Sequence, residues 1–197
     1  MQPTVVTLAN ISNIRTGYTF RGKIEANSQG DVTVLQPKDI INKGEFTEAA
    51  KIGHSGINSL NIHLLKKGDI LIANKGLRFS VFLYNGTPDK CVASSSFFVV
   101  GVDKKKVFPE YLVWYLEQEP AKNHLLSRVT GSIIPTINKS AIQQITIPLP
   151  SLTTQEYITE LLRTSAEELL KLRQLRERKR EFYNSHIWEK IIQETEH

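Results

Sequence analysis

The sequence is short of the residues that build covalent or metal cross-links. Its 197 residues include one cysteine, Cys91, and five histidines. A single cysteine excludes an internal disulfide framework and a zinc site made of several cysteines, and the histidines lack the HExxH and HxH ligand spacings. The P-loop, GxGxxG and GxSxG motifs are absent as well. The sequence therefore predicts no metal site and no catalytic site of these common types.

Long apolar runs are also lacking. The richest run is FFVVGV at residues 97–102, far below the roughly 20 apolar residues that cross a bilayer. The first ten residues have neither the basic start nor the apolar core of a signal peptide. With 40% hydrophobic and 23% charged residues, the composition is typical of a globular protein. We therefore expect a soluble cytoplasmic protein that has no membrane partner.

Helix-breaking residues are missing from the last part of the chain. All 11 glycines and all 8 prolines precede Ser151. This change predicts a globular domain over 1–152 and a helical one over 153–197. We expect one helix from about Thr154 to Thr195, opened by a capping box of Thr153 and Glu156. At 1.5 Å per residue, such a helix spans about 60 Å.

The apolar residues of this helix follow the spacing of a coiled coil. Steps of four and three residues connect Ile158, Leu162, Ser165, Leu169 and Leu172, and Leu175 widens the stripe. This spacing predicts a helix that pairs with a second chain. A helix that lies on its own domain is the alternative. Because Arg176, Lys179 and His186 fall on the same line, we expect the pairing to become polar toward the C-terminus.

The first 150 residues combine short strands with short helices. β-Branched and aromatic runs predict strands at 31–35, 70–73, 81–84 and 96–102. Helices are predicted from Pro109, at 121–129 and at 139–144, with a last strand at 145–147. The fold class is therefore α+β: one globular mixed α/β domain, followed by a long C-terminal helix that forms an intermolecular coiled coil.

The positive charge belongs to the globular domain. Residues 1–152 hold 17 basic and 11 acidic side chains, whereas residues 153–197 hold 8 and 9. Several bases lie in glycine-containing segments, GYTFRGK from Gly17 and NKGLRF from Asn74. Such segments bring cations and backbone amides close to phosphates. We therefore predict that Arg21, Lys23, Lys75 and Arg78 contact nucleic acid. For Tyr18, Phe20 and Phe79, anchoring these loops to the core is the more common role of such aromatics, and packing against sugars or bases is the alternative.

Two other classes of function remain as alternatives. One pattern resembles the loose proline-aspartate and aspartate-x-lysine motif of Mg²⁺-dependent nucleases: Pro88-Asp89 followed by Asp103-Lys104-Lys105. In such a nuclease, Asp89, Asp103 and Lys105 would activate water. Against it, Asp89 lies in a predicted turn, where aspartate is common. The second alternative is a coiled-coil adaptor whose basic domain binds an acidic protein.

Three segments resemble a known family. They are GDILIANKGLRFSVFLYNG from Gly68, FPEYLVWYLEQE from Phe108 and TGSIIPTINKSAIQQITIPLPSLTTQEYI from Thr130. The last is the most specific, since it combines a Gly-Ser turn, a small helix, an I-x-I-P-L-P strand and the start of a long helix. Together they resemble the DNA-specificity subunits of type I restriction-modification systems. Gln155-Glu156 reverses the commoner Glu-Gln order of that family.

The resemblance implies a function of binding without catalysis. The chain would read double-stranded DNA through a target-recognition domain, with Ser132 and Lys139 as further contacts near the Gly-Ser turn. It would need no cofactor of its own, because S-adenosylmethionine is expected on a partner modification (methyltransferase) subunit and cleavage on a restriction subunit.

The resemblance also implies a symmetric assembly. Members of the family usually carry two recognition domains and two spacer helices, whereas this sequence has one of each. We therefore expect a half-length form that homodimerises through its helix and reads two inverted half-sites separated by a spacer. Pairing with a different half-chain would instead give two unlike half-sites.

Overall fold

The computed structural model describes residues 4–24, 26–27, 29–41, 45–46, 49–53, 59–75, 80–131 and 135–195. In chain order the strands are β1 (Thr4–Thr7), β2 (Ser12–Thr16), β3 (Val32–Leu35), β4 (Ile40–Ile41), β5 (Glu45–Phe46), β6 (Ala50–Ile52), β7 (Ile70–Ala73), β8 (Val81–Leu83), β9 (Cys91–Ala93), β10 (Phe97–Val102) and β11 (Thr146–Leu149). The helices are α1 (Leu8–Ile11), α2 (Leu60–His63), α3 (Pro109–Leu116), α4 (Glu119–Leu126), α5 (Lys139–Gln143) and α6 (Leu152–Thr195), with a 3-10 turn at Pro37–Asp39.

The chain divides into two compact units, residues 1–155 and 156–197. The division falls three residues after the boundary expected from the sequence. The first unit holds the sheets and the short helices, and the second is helical throughout its described part. The predicted fold class, a mixed α/β domain followed by a long C-terminal helix, is confirmed.

A four-stranded antiparallel sheet forms the centre of the first unit. Its order is β2-β10-β7-β8, and Val99 of β10 lies between Arg15 of β2 and Leu71 of β7. All four residues of β7 are buried. A continuous apolar run is typical of a strand that is covered on both faces, and this explains why the sequence located β7 within the bounds that the structure gives.

A second sheet, of order β6-β3-β9, packs beside the first. β3 pairs with β9 in parallel, with Val34 opposite Val92. The residues that fill the core between these strands are buried and apolar. One cluster comprises Leu35, Leu65, Leu71, Ala73, Tyr84, Cys91, Ala93, Phe97 and Val99. A second cluster comprises Val32, Val34, Ile52, Leu60 and Val92.

A two-stranded sheet pairs the N-terminal segment with the last strand of the first unit. β1 pairs antiparallel with β11, so that Val6 lies opposite Ile147. Two tyrosines of α3 hold the other edge of β11: the Tyr111 hydroxyl donates to Pro148 O at 2.6 Å, and the Tyr115 hydroxyl donates to Thr146 O at 3.0 Å. These bonds attach α3 to β11.

The long helix begins two residues earlier than the sequence predicted. The Ser151 hydroxyl accepts a hydrogen bond from the Thr154 amide at 3.2 Å, which is the bond of an N-cap residue. The predicted capping box of Thr153 and Glu156 is therefore wrong. Among the described residues, no helix is both long and apolar enough to cross a membrane.

Gln155 is the polar residue that holds this helix start in the first unit. Its side chain is fully buried. Its Oε1 accepts from the Phe108 amide at 2.9 Å, and its Nε2 donates to Lys106 O at 3.1 Å and to Pro150 O at 2.9 Å. One side chain thus satisfies three backbone groups that lie before α3 and before α6.

We predict that Gln155→Ala lowers the free energy of unfolding by about 2–4 kcal/mol, because it leaves buried backbone groups without partners. Chemical denaturation measures this loss. Gln144→Ala is the matched control, because Gln144 is exposed and its side chain bonds to Ser140 on the same helical turn. The control should change stability by less than about 0.5 kcal/mol. Equal stability of both variants would contradict the role assigned to Gln155.

Candidate nucleic-acid interface

Four chain segments meet at one end of the central sheet, and we call this meeting point the junction. It consists of Gly17–Tyr18 after β2, Asn74–Lys75 after β7, the Ser94–Ser96 turn between β9 and β10, and Thr136–Ile137 before α5. Backbone hydrogen bonds connect them in series: Tyr18 N to Ala93 O at 2.7 Å, Ser95 N to Tyr18 O at 2.8 Å, Asn74 N to Ser96 O at 3.0 Å and Ile137 N to Asn74 O at 3.1 Å.

Asn74 is the central residue of the junction. It is only 7% exposed, and its side-chain Nδ2 donates to Ser95 O at 2.8 Å. With its backbone amide on Ser96 and its carbonyl accepting from Ile137, this one residue binds two other segments. Its Oδ1 and the Ser94 hydroxyl are buried, and neither has a hydrogen-bond partner among the described residues. Buried polar atoms of this kind are rare and costly.

Close contact between backbones requires glycine at position 17. A Cβ added to Gly17 would lie 2.1 Å from Ser94 O and 2.6 Å from Ala93 O. These distances are far below van der Waals contact, so no other residue fits without moving the turn. The sequence marked this glycine only as part of a basic segment, whereas the structure shows that it lets β2 reach the Ser94–Ser96 turn.

The Gly-Ser turn of the sequence belongs to a loop that closes on the junction. Thr130 and Thr136 exchange two backbone hydrogen bonds, at 2.9 and 2.8 Å, and Thr136 also forms a bridge with Lys75. Gly131, in this loop, has a φ of +91°, which glycine adopts without strain. The loop is therefore fastened to the end of β7.

The junction joins segments that carry cations far apart in the sequence. Arg21 and Lys23 follow Tyr18, Lys75 follows Asn74, and Lys139 lies two residues after Ile137. All four are exposed. Within the described part of the chain, none of these four side chains has an ion-pair partner. Two other predicted contacts, Arg78 and Ser132, lie outside the described residues, as does the aromatic Phe79.

The aromatic side chains after Gly17 have the anchoring role that the sequence predicted. Tyr18 and Phe20 pack against the cluster of Val32, Val34, Ile52, Leu60 and Val92. Their ring centroids are 4.8 Å apart in an edge-to-face arrangement, which is a favourable geometry for aromatic pairs. The segment that carries Arg21 and Lys23 is thus attached to the core at its start.

A second group of lysines lies at the opposite end of β10. This strand starts beside the junction at Phe97 and ends at Val102, just before the Lys104-Lys105-Lys106 turn. Six strand residues separate the two ends by about 20 Å. Any test of the junction must therefore distinguish it from this basic turn.

Two residues of the nuclease hypothesis, Asp103 and Lys105, lie at that same turn. The Asp103 carboxylate accepts from the Lys105 amide at 3.1 Å and pairs with Lys106 at 3.6 Å. Asp89 is exposed in the turn that follows Tyr84. Among the described residues, no three histidine, cysteine or acidic side chains are grouped so that they could hold a metal ion. Asp103 thus acts as a turn-stabilising residue.

A partly buried ion pair in the central sheet has a structural role. Arg15 of β2 donates to Leu64 O at 3.1 Å and lies 3.7 Å from the Asp69 carboxylate. Burial raises the pKa of Asp69 and lowers the pKa of Arg15, and the attraction between them partly opposes both changes. Sequence patterns carry no signal for this pair, because Arg15 and Asp69 lie more than 50 residues apart.

The second unit exposes a large part of its apolar surface. Leu169, Leu172 and Leu175 of the predicted pairing face are 55%, 61% and 52% exposed. Ile158 and Leu162, from the same face, have intermediate exposure. Further exposed apolar residues follow in the last turns, at Phe182, Tyr183, Ile187, Trp188, Ile191 and Ile192. Monomeric proteins rarely expose contiguous apolar patches of more than a few hundred Å².

Comparison with known families gives the class of protein. The family model of the type I restriction modification DNA specificity domain matches residues 3–178. The match includes the junction, nearly all of the first unit and the long helix as far as Arg178. The chain therefore belongs to this family, as its resemblance indicated.

A curated relative and three solved structures show the same likeness. The specificity subunit of the type I restriction enzyme MjaIX from Methanocaldococcus jannaschii is 23% identical over 162 residues, which are 80% of this chain and 36% of that protein. The S subunit from M. genitalium is 16% identical with a TM-score of 0.60, and the match covers 87% of this chain and 44% of that chain.

The HsdS subunit from Thermoanaerobacter tengcongensis is 19% identical with a TM-score of 0.66, over 88% of this chain and 44% of that one. A chain of a type I restriction-modification system gives a TM-score of 0.67 at 19% identity, over 89% and 45% of the two chains. At these identities the likeness shows a shared fold. The chain spans less than half the length of each of these relatives.

We predict that Asn74→Ala lowers the free energy of unfolding by about 1–2 kcal/mol, because Ser95 O loses its donor. Asn74→Asp should cost more, since a carboxylate has no proton to donate and would be buried. Thermal denaturation of both variants measures the order. Asn123→Ala, at an exposed position of α4, is the control and should be nearly neutral. Equal effects of the Asp and Ala variants would contradict the assigned hydrogen bond.

Proposed function

We propose that the chain is a sequence-specific reader of double-stranded DNA that acts as a specificity subunit of a type I restriction-modification complex. The observation that carries this proposal is the junction, which joins three distant segments at one end of a sheet, each of them leading to one or two of Arg21, Lys23, Lys75 and Lys139. Phosphate contacts by such cations supply affinity, and loop side chains that reach the major groove supply sequence discrimination.

Charge supports DNA as the partner. The 17 basic and 11 acidic side chains of residues 1–152 give this part a net charge of +6, whereas residues 153–197, with 8 and 9, have −1. A positive excess confined to one domain favours a polyanion as its ligand. An acidic protein would also be attracted, but the family to which the chain belongs is one of DNA specificity domains.

The helix supports pairing of two copies. Its exposed apolar residues would be covered if two identical α6 helices packed antiparallel about a twofold axis. Two recognition units would then read inverted half-sites, separated by a spacer whose length depends on the helices. Arg176, Lys179 and His186 interrupt the apolar line, so the pairing would be strongest at Leu169 and Leu172.

The chemistry of modification and cleavage would belong to other subunits. In this proposal the chain makes no covalent step. The methyltransferase subunit would bind S-adenosylmethionine and dock on the specificity subunit, and a restriction subunit would cut the DNA. The chain itself would determine the DNA sequence at which the other subunits act.

We predict that Lys75→Ala weakens binding to duplex DNA and lowers the slope of log K against log salt by about 0.9, the value for one phosphate contact. Arg21→Ala, Lys23→Ala and Lys139→Ala should each have a similar effect where the side chain contacts a phosphate. Fluorescence anisotropy at several salt concentrations measures the slope. A side chain that reads a base would instead change sequence preference, at a cost of about 1–3 kcal/mol.

Lys105→Ala is the matched control for this experiment. It removes the same charge from the basic turn at the other end of β10, and Lys105 is equally exposed. The control should leave both affinity and slope nearly unchanged. A larger effect of Lys105→Ala than of Lys75→Ala would move the DNA to the basic turn and contradict the proposal.

We predict that deletion of residues 173–179 shortens the DNA spacer without abolishing the dimer. Seven residues form one heptad, so the apolar line continues in register, while Arg176 and Lys179 are removed from it. Each helix loses about 10 Å, so the spacer should shorten by at least about three base pairs of 3.4 Å rise. Selection from random duplexes measures the spacer, and sedimentation measures the mass. A dimer with an unchanged spacer would contradict the helix's role in spacing.

A further inference from the structure

A cavity of about 830 Å³ opens beside the segment that leaves the junction. Its volume lies within the roughly 300–1,000 Å³ of sites that hold small molecules. The side chains that matter for its chemistry are Tyr18, Phe20, Arg21, Lys23, Ile62 and His63. The cavity therefore shares two of its lining residues, Arg21 and Lys23, with the predicted DNA contacts.

Three rings form a fixed wall of this cavity. The ring of Tyr18 lies between the other two, at 4.8 Å from Phe20 with an interplanar angle of 70° and at 4.9 Å from His63 with an angle of 77°. Tyr18 and Phe20 pack against buried residues of the core on one side, yet all three rings remain partly exposed. Rings held in this way offer contact surface to a ligand without a large loss of conformational entropy.

The polar groups of the cavity favour an anionic, aromatic ligand. Arg21 and Lys23 contribute positive charge, and among the described lining residues there is no aspartate or glutamate. Burial, together with the nearby Arg15, lowers the pKa of His63. A neutral imidazole carries one hydrogen-bond donor and one acceptor, which are the groups that recognise the edge of a base.

We propose that this cavity binds one unstacked nucleotide, with its base against the three rings and its phosphate beside Arg21 and Lys23. This inference rests on the proposed function and adds to it a binding mode for a single nucleotide. Aromatic side chains that contact bases next to cations that contact phosphates are the usual means of binding unstacked nucleotides. A free nucleotide offers the same chemistry, and the experiment below separates the two sources.

Backbone hydrogen bonds connect the wall of the cavity directly to the junction. Tyr18 is bonded through its amide to Ala93 and through its carbonyl to Ser95, the residue whose carbonyl accepts from the Asn74 side chain. A duplex that contacts Lys75 would therefore lie near the cavity wall. An unpaired base costs less to move out of the helix than a paired one, so it should enter the cavity more readily.

The test compares a fully paired DNA duplex with the same duplex that carries one extra, unpaired adenine. The wild-type chain should bind the second duplex at least about tenfold more tightly. Ile62→Trp fills the cavity from a position that is 68% exposed, so folding should be preserved. This variant should bind both duplexes equally, with the affinity of the wild type for the paired duplex.

Val5→Trp is the matched control, because Val5 is 63% exposed and lies on β1, away from the cavity lining. It adds the same exposed ring and should keep the tenfold preference. Circular dichroism of both variants checks that the fold is intact. Loss of the preference in Val5→Trp as well would contradict the assignment of the effect to the cavity.

The source of the base is found with two probes. If the base comes from DNA, 2-aminopurine in place of the extra adenine should become several-fold more fluorescent on binding, and this increase should disappear in Ile62→Trp. If the cavity takes a free nucleotide, 5′-AMP should bind with one-to-one stoichiometry in calorimetry, and Ile62→Trp should abolish that binding. Either result supports the inference.

The inference is overturned if the wild-type chain binds both duplexes equally and does not bind 5′-AMP. In that case duplex binding itself is retained, and the proposed function stands without a nucleotide cavity. Failure to bind any duplex would instead contradict the proposed function. Binding of 5′-AMP would then be the remaining test of whether the cavity binds a nucleotide.

Discussion

The structure depends on a backbone contact between strands that are distant in the sequence. Gly17 allows β2 to approach the Ser94–Ser96 turn so closely that a Cβ would lie 2.1 Å from Ser94 O. Asn74 then joins that turn to Ile137 through its backbone and side chain. Because these bonds are buried and specific in direction, they fix where three cation-bearing segments leave the core. In the proposed function, DNA recognition follows from that placement of loops on a rigid sheet.

The two units differ in the kind of interaction that their surfaces favour. The first carries the positive excess and the junction, whereas the second carries apolar surface that is exposed along one helix. Electrostatic attraction to DNA acts at long range and weakens with salt. Helix pairing acts at short range and depends on apolar burial. In the proposed assembly, the first interaction places each reader on the duplex and the second sets the distance between two readers.

Local patterns allowed much of the fold to be predicted from the sequence. The apolar run of β7 and the absence of glycine and proline after Pro150 located one central strand and the long helix. The pairing of β1 with β11 was missed, since it joins segments about 140 residues apart. The sequence of a short strand does not indicate which distant strand it pairs with. Gln155 was missed as well: a glutamine at a helix start usually faces solvent, and its burial depends on Lys106 and Phe108, which lie far away in the chain. For the site, composition indicated Arg21, Lys23 and Lys75, but only the fold shows that Asn74 joins the Ser94–Ser96 turn to Ile137 beside Lys75.

Amide hydrogen exchange of the chain with and without bound duplex DNA tests the central claim most directly. If the junction positions the DNA-contacting segments, binding should slow exchange in residues 18–24, 74–75 and 135–139 together, because one ligand covers them all. The Lys104–Lys106 turn at the other end of β10 should exchange at the same rate in both states. Protection of that turn, with the junction segments unchanged, would contradict the account.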